Sequence, residues 1–438
     1  MRNPEWSKFI ALLHKEVVPA TGCTEPIAVS LATAHATRAL GAKPERIEVR
    51  LSGNLLKNGM GVGVPGTGLT GMDIAAAVGA LGGDPDKGLD VLSGLTPEQA
   101  EDGRRMLREG RVTVAVAEGV PLLYAEVAVE GGGHRARAVL EDEHSNVTLI
   151  ERDGREIFSR VATGAEGGPA QDAWPLTIAK IHAFATTADF ADIAFILEAA
   201  RLNEAAAVEG LAHEYGLRVG RTIDENIRKR LMSDDVATTA VKWTAAASDA
   251  RMDGAMIAVM SNSGSGNQGI TCTMPVVAFA RWGKADDETL ARALIMSHLT
   301  SIHVKHGLGR LSALCGATVA AMASSCGIVM LLGGGLEEIE RAIRNMVGTL
   351  AGMICDGAKT GCAMKVASAV GAAVRSAMLA MDGICATCRQ GIVEDDIELC
   401  LANLARLGSD GMVETDRVIL DIMVSKQNHP TPEADSER

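Results

Sequence analysis

LYAEVAVEG (residues 123–131) and HRARAVLED (residues 134–142) decide the fold class of the first third of the chain. In both stretches apolar and polar side chains alternate, which is typical of strands that bury one face of a sheet. The same alternation occurs in IEVRLSG (47–53) and RVTVAVAE (111–118). The sequence from Arg46 to about Arg152 therefore predicts a small mixed or antiparallel sheet.

Helices are predicted on both sides of these strands. The first forty residues predict two helices around a break at VVPATGCTEP (17–26), with Pro26 in the first turn of the second helix. Within the sheet region, helices are expected at Asp73–Leu81 and around Pro97–Arg108. The N-terminal part is thus predicted to be α+β.

The sequence pattern changes from strand-like to helical after GAEGGPAQDAWP (164–175). This Gly- and Pro-rich segment is typical of a domain boundary. Long Ala-rich amphipathic helices are predicted beyond it, at Leu176–Thr187, Asp189–Tyr215, Asp235–Ser248, Asp287–His303 and Leu336–Met346. We predict an α+β protein: an N-terminal α+β domain at 1–170, followed by a mainly α-helical catalytic domain at 171–438.

Composition limits the classes of function. The net charge of −13 argues against a nucleic-acid partner, because phosphate binding needs clustered Lys and Arg. Residues 1–16 lack the uninterrupted apolar stretch of a signal peptide, and no apolar run approaches the length of a membrane span. Nine cysteines within Ala-, Gly- and Met-rich helical text predict reduced thiols in the cytoplasm. A homo-oligomer is compatible with the Ala- and Gly-rich helices.

Two motifs carry little functional weight. GVGVPG (61–66) matches the G-x-G-x-x-G pattern, but Pro65 removes an N–H that a phosphate site would use, so LKNGMGVGVPGTG (56–68) is interpreted as a loop. CATC (385–388) has the spacing of a redox or zinc pair without the context of either. Cys385 and Cys388 are interpreted as packing residues on a helix.

SNSGSGNQGI (261–270) is more informative. Its glycines allow a tight turn with exposed N–H groups before a helix, which suits a carboxylate or phosphate. Ser263, Ser265, Asn267 and Gln268 add side-chain donors. We expect this segment to bind an anion.

PATGCTEP (19–26) places Cys23 at the start of a helix. The positive end of the helix dipole favours a thiolate there, and Thr24 and Glu25 lie close enough in sequence to relay a proton. A reactive cysteine and a buried small residue are both open at this position.

GMICDGAKTGC (352–362) holds two cysteines around a turn with one Asp and one Lys, and HVKHGLGRLSALCG (303–316) precedes it. Cys315, Cys355 and Cys362 could bind zinc together with a histidine, or three irons of a [4Fe–4S] cluster with the fourth iron open. Cys326 is a competing ligand, expected in a separate loop.

Five motifs occur in order from residue 19 to 362: PATGCTEP, KNGMGVGVPGTG, SGSGNQGI, GRLSALCG and CDGAKTGC. In these the chain resembles L-cysteine desulfidase and its uncharacterised bacterial relatives and, more distantly, the alpha chain of iron–sulfur L-serine dehydratases. The resemblance implies a [4Fe–4S] cluster on Cys315, Cys355 and Cys362 and a catalytic role for Cys23. The loop at 263–268 would hold the carboxylate of the substrate.

The resemblance implies a lyase of amino-acid catabolism that converts L-cysteine to pyruvate, ammonia and hydrogen sulfide. Cys23 is the first choice for the base that removes the Cα proton. Lys359 is the second, with charge compensation of the cluster as its other role. L-serine as substrate and a non-catalytic metal or cluster sensor are the alternatives. The remaining cysteines, Cys272 and Cys400 among them, receive no role.

Overall fold

A computed structural model describes residues 5–160, 174–309 and 312–427. Most of the predicted boundary segment and the tail at 428–438 lie outside these residues, as do Arg310 and Leu311 of the GRLSALCG motif. The predicted division of the chain at 170/171 also falls outside them and stays a prediction.

The N-terminal part alternates helices and strands. Its helices are α1 (Trp6–Glu16), α2 (Thr24–Leu40), α3 (Gly53–Gly59), α4 (Met72–Gly82), a 3₁₀ helix (Pro85–Asp90) and α5 (Pro97–Arg108). Its strands are β1 (Pro19–Thr21), β2 (Arg46–Leu51), β3 (Val112–Val116), β4 (Tyr124–Gly131), β5 (His134–Glu141), β6 (Val147–Arg152) and β7 (Arg155–Ser159).

Six of these strands form one mixed sheet in the order β3-β2-β4-β5-β6-β7. β2 and β3 are parallel and the other neighbours are antiparallel, as predicted for a small mixed sheet. β4 and β5 form the hairpin that decides the fold class, with Tyr124 opposite Glu141 and a turn at Gly132 and Gly133. Both glycines have positive φ (58° and 79°), a backbone conformation that residues other than glycine rarely adopt. The inward face of the hairpin packs with α2 and α4 in one apolar core.

Helices dominate the rest of the chain, which confirms the α+β fold class. They are α6 (Ile178–Thr187), α7 (Phe190–Ile193), a 3₁₀ turn (Ala194–Ile196), α8 (Leu197–Ala212), α9 (Val219–Arg228), α10 (Val236–Met252), α11 (Gly266–Gly283), α12 (Asp287–Leu308), α13 (Gly316–Leu331), α14 (Leu336–Leu350), α15 (Cys362–Met381), α16 (Ile397–Arg406), a π-helical turn (Leu407–Gly411) and α17 (Val413–Gln427). One short strand, β8 (Ala258–Met260), precedes α11.

Three local predictions were wrong. Leu56–Gly59 belongs to α3 rather than to a loop, because the Ser52 side chain caps that helix by accepting a bond from the Leu55 N–H at 3.3 Å. Cys385 and Cys388 lie in a loop, because α15 ends at Met381 and the positive φ of Gly383 stops it. Cys326 lies inside α13, fully buried, and not in a loop.

The predicted helix at 189–215 is divided into α7, the 3₁₀ turn and α8. The remaining predicted helices are present, with ends that differ by a few residues.

The first residues of the chain pack against the helical part. Phe9 of α1 meets Phe184 of α6 edge to face, with ring centroids 5.4 Å apart. β1 pairs antiparallel with β8, with Pro19 opposite Met260. The start of α2, where Cys23 lies, is thereby held next to the segment 261–270.

One described helix, α15, is long and apolar enough to cross a membrane by length and composition. Half of its most apolar window is buried inside the fold, as in the core helices of soluble proteins, so this is weak support for a membrane span. The expectation that the protein does not span a membrane stays a prediction.

Candidate active site

Four helices begin at one cavity of about 720 Å³. Cys23, Ser265 and Cys315 are the N-cap residues of α2, α11 and α13, and Cys362 is the first residue of α15. All four line the cavity. Because the N-terminus of a helix carries partial positive charge and unpaired N–H groups, the cavity is suited to an anionic ligand.

The three predicted ligand cysteines meet in this cavity. An antiparallel bridge between Leu314 and Ile354 brings two of them together, with Cys355 N–H donating to Ala313 O at 2.6 Å and Cys315 N–H to Met353 O at 2.9 Å. The Cys315 thiol donates a hydrogen bond to the Cys355 sulfur, and Cys362 lies near enough to feel the charge of Cys355. All nine cysteines of the chain are free thiols.

Cations surround the Cys355 sulfur. The hydrogen bond from Cys315 lowers the pKa of Cys355 below its usual value, and the ammonium groups of Lys57 and Lys365 lower it further against the effect of burial. Lys57 forms a largely buried ion pair with Asp416, and Lys365 forms a partly exposed ion pair with Asp356. The site therefore supports a thiolate at Cys355.

Cys23 lies at the helix start, as predicted, but not as a thiolate. Burial raises its pKa well above the usual value, and the Glu25 carboxylate raises it further, so these effects outweigh the charge of Arg251. The expectation that the helix dipole would ionise this thiol is wrong, because the group has lost its contact with water. Its Sγ donates to Glu25 Oε2 at 2.9 Å, and Thr24 Oγ1 donates to the same oxygen at 3.1 Å.

The Lys359 side chain is paired with Asp356 and does not line the cavity, so its position does not suit a catalytic base. Its Nζ lies 2.5 Å from Asp356 Oδ1 and also donates to Asp356 O at 3.2 Å. Lys365, which sequence reasoning missed, lines the cavity instead. This arrangement favours charge compensation for Lys359.

The segment 263–268 lines the same cavity, with all four predicted polar residues in its wall. Their hydrogen bonds are partly used within the protein: Ser263 Oγ donates to Asn262 Oδ1 at 2.9 Å, Ser265 Oγ accepts from Gln268 N–H at 3.3 Å, and Asn267 Oδ1 accepts from Ser248 Oγ at 3.1 Å. Gln268 Nε2 donates to Asn262 Oδ1 and Ser301 Oγ, both at 3.0 Å. The sequence led us to expect that Gln268 donates to an anion. Both of its amide donors are instead used within the protein.

His303, one of the two histidines in HVKHGLGRLSALCG, is engaged outside the cavity wall. His303 Nε2 contacts Glu398 Oε2 at 2.7 Å, and Trp174 Nε1 donates to His303 Nδ1 at 2.9 Å. Within the described ranges, no group of three or more His, Cys, Asp or Glu side chains is arranged to hold a metal ion. The five cysteines left without a role do not line the cavity: Cys272, Cys326 and Cys400 are buried in helices, Cys385 is partly buried, and Cys388 is exposed.

Arg251, at the end of α10, is a cavity residue that the sequence did not single out. Its side chain is buried, its Nε has no hydrogen-bond partner within the described part of the chain, and its Nη1 contacts Met252 Sδ at 3.2 Å. The one available signal was a lone cation near the end of the Ala-rich stretch AAASDARMDG (245–254).

Comparison with known proteins gives the family. The sequence profile of the serine dehydratase alpha chain matches residues 86–421. The chain belongs to this family. The match contains the three cavity cysteines, Lys359 and the segment 263–268, whereas Cys23 precedes it. Membership of the serine dehydratase alpha chain family confirms the more distant of the two resemblances seen in the sequence.

Several bacterial proteins are similar to the chain over almost its whole length. A UPF0597 protein of Oleidesulfovibrio alaskensis is 74% identical over 427 residues, covering 98% of this chain and 100% of the relative. UPF0597 proteins of Bacteroides fragilis and Aeromonas salmonicida are 48% and 50% identical, with 97% and 98% of this chain covered and 100% and 99% of the relatives.

Proposed function

We propose that this serine dehydratase alpha chain family member is a [4Fe–4S]-dependent lyase that carries out α,β-elimination on a small L-amino acid. The favoured substrate is L-cysteine, which would give pyruvate, ammonia and hydrogen sulfide. The observation that carries the proposal is the meeting of Cys315, Cys355 and Cys362 in one cavity with the Cys23–Glu25 pair.

The thiols fit a cluster better than a single ion. In a cluster each cysteine binds a different iron, so the sulfurs need to surround a volume rather than point at one atom. Three thiols in the wall of one cavity agree with that requirement. Lys57 and Lys365 beside Cys355 and four helix N-termini offset the negative charge that thiolates bring. When bound through three cysteines, the cluster supplies an open Lewis-acidic iron for the leaving sulfur or hydroxyl.

The chain itself moves the Cα proton. Cys23 Sγ donates to Glu25 Oε2 at 2.9 Å, so its proton can pass to that carboxylate while the sulfur takes the proton from Cα. The electron pair of the Cα–H bond then forms the Cα–Cβ double bond, and the Cβ–S bond breaks. The resulting aminoacrylate tautomerises to an imine, and water hydrolyses the imine to pyruvate and ammonia.

L-serine is the second candidate substrate. The family match favours it, since the name of the family refers to serine dehydratase. The chemistry of the chain is the same, with hydroxide in place of hydrosulfide as the leaving group. For either substrate we propose a cytoplasmic, homo-oligomeric enzyme. Its binding partner is a small amino acid rather than a nucleic acid or a membrane.

Anaerobic reconstitution with iron and sulfide tests the proposal. Reconstituted protein should show the visible absorption of a [4Fe–4S] cluster, release sulfide and pyruvate from L-cysteine, or release pyruvate from L-serine. A protein that holds a full cluster and produces pyruvate from neither amino acid would show that it is not this lyase, and would favour a cluster sensor.

Single cysteine variants test the ligands. Cys315→Ala, Cys355→Ala and Cys362→Ala should each lower the iron content and abolish turnover. The matched control is Cys388→Ala, because that thiol is exposed and lies outside the cavity wall. A Cys355→Ala protein with a full cluster and full activity would show that Cys355 is not a ligand.

A further inference from the structure

Two buried polar atoms in the wall of the cavity, a donor and an acceptor, have no hydrogen-bond partner among the residues that the structure describes. One is Arg251 Nε, on a side chain that carries positive charge, and the other is Gln268 Oε1, which can only accept a hydrogen bond. The residues are 3% and 1% exposed, and both line the cavity. Buried polar groups without partners cost free energy, so such groups in a cavity indicate a ligand that completes them.

The orientation of the Gln268 amide follows from its neighbours. Asn262 contacts the backbone carbonyl of His298 at 3.2 Å, and a carbonyl only accepts, so the Asn262 nitrogen lies there. Asn262 Oδ1 then faces Gln268, and Gln268 must present its nitrogen to it, at 3.0 Å. The Gln268 oxygen is left as the atom without a partner, which is an acceptor for a donor such as an ammonium group.

Arg251 lacks an acidic partner in the part of the chain that the structure describes. Its guanidinium lies against the first residue of α11, since a Cβ on Gly266 would be 2.1 Å from Nε. The cation and the N-terminus of an 18-residue helix thus act on the same region of the cavity. A buried guanidinium is suited to a carboxylate, which accepts several of its N–H groups at once.

We infer that Arg251 binds the carboxylate and Gln268 Oε1 accepts from the ammonium of an α-amino acid in this cavity. The inference rests on the proposed function for the identity of the reaction, but names the groups that recognise the head of the substrate. Both groups are attached to Cα, so fixing them fixes the Cα–H bond as well. The charge of Arg251 also reaches the Cys23 sulfur, so the anchored Cα lies on the side of the cavity where the proposed base is located.

Calorimetric titration of the anaerobically reconstituted protein tests this with L-alanine, propionate and ethylamine. L-alanine has both charged groups and no leaving group, whereas the other two compounds have one charged group each. Wild-type protein should bind L-alanine at least roughly tenfold more tightly than either, since hydrogen bonds to charged groups are the stronger class. Arg251→Met should bind L-alanine no better than ethylamine, with a loss of roughly tenfold to hundredfold, and Arg251→Lys should recover part of it. Gln268→Met should bind L-alanine no better than propionate.

Gly266→Ala and Gly283→Ala form a matched pair in the same helix. The methyl group at 266 would displace the Arg251 guanidinium, whereas nothing lies within 4 Å of a Cβ at Gly283. The first variant should weaken L-alanine binding and the second should leave it unchanged. Circular dichroism and cluster absorbance check that each variant is folded and loaded.

The outcomes separate the two proposals. Unchanged L-alanine affinity in Arg251→Met and Gly266→Ala, or no binding to the wild type, would overturn the role of Arg251, even if L-cysteine were turned over. Unchanged affinity in Gln268→Met would overturn the role of Gln268. Binding that follows the predicted pattern in a protein without turnover would support the head-group site and refute the proposed reaction.

Discussion

Lys57 and Asp416 form an ion pair that connects α3 with α17, and Lys57 lies near the Cys355 sulfur. Their side chains differ in exposure, 3% for Lys57 and 22% for Asp416. Removal of one partner from a buried pair costs about 3–5 kcal/mol when the other charge stays buried. Asp416→Ala strands the buried ammonium and should lower the free energy of unfolding by about 3 kcal/mol. Lys57→Met leaves a carboxylate that water can reach and should cost about 1–2 kcal/mol.

Urea unfolding followed by tryptophan fluorescence measures both values. The double variant Lys57→Met/Asp416→Leu should recover most of the loss, because it leaves neither charge behind. Arg38→Met is the control, since Arg38 and Asp86 form an exposed pair at 2.7 Å with side chains 50% and 76% exposed, and exposed pairs contribute up to about 1 kcal/mol. If Lys57→Met were as costly as Asp416→Ala, the reasoning from unequal burial would be refuted.

Three further predictions concern the site and pH. Cys355→Ser should lower the iron bound after reconstitution, measured by iron analysis, while Cys388→Ser should retain it. Glu25→Gln should keep the cluster and lower kcat on the order of a hundredfold or more, because an amide cannot take the Cys23 proton; unchanged kcat would remove Glu25 from the relay. Burial raises the pKa of Asp249 to about 7, so folding takes up a proton, and stability should fall as pH rises from about 4 through about 7. Unfolding midpoints at pH 5 and pH 8 should differ less in Asp249→Asn than in the wild type, and an equal difference would contradict this.

Local patterns predicted the elements of the fold well. The hairpin of β4 and β5 follows from the alternation in residues 123–142, and α5 has the predicted limits Pro97–Arg108. The errors arose where a side chain or a single glycine decided the outcome, as with the Ser52 cap of α3 and the end of α15 at Gly383. Such contacts have no period in the sequence.

The sequence predicted those residues of the candidate site that belong to recognisable motifs. Spacing and residue type pointed to Cys23, to the three cavity cysteines and to the segment at 263–268, and the structure brings all of them to one cavity. Arg251 and the partner of Lys57 were out of reach, because their importance depends on burial and on contacts between residues far apart, 359 positions in the case of Lys57 and Asp416. The ionisation of Cys23 was misjudged for the same reason, since burial outweighs the helix dipole there.

The glycine motif GVGVPG shows why the cavity depends on both halves of the chain. Gly61 forms a parallel bridge with Lys359, and Gly63 N–H donates to Met252 O at 2.9 Å. A Cβ at Gly63 would lie 2.4 Å from the Asp253 carbonyl carbon, so only glycine lets these two backbones meet. The motif therefore serves close backbone contact rather than phosphate binding. It holds the segment between α3 and α4 against the end of α10 and against the Cys355–Cys362 turn. Val62 of this segment packs in one apolar cluster with Cys23 and Cys362, so the motif fixes the position of Cys23 relative to the cavity cysteines.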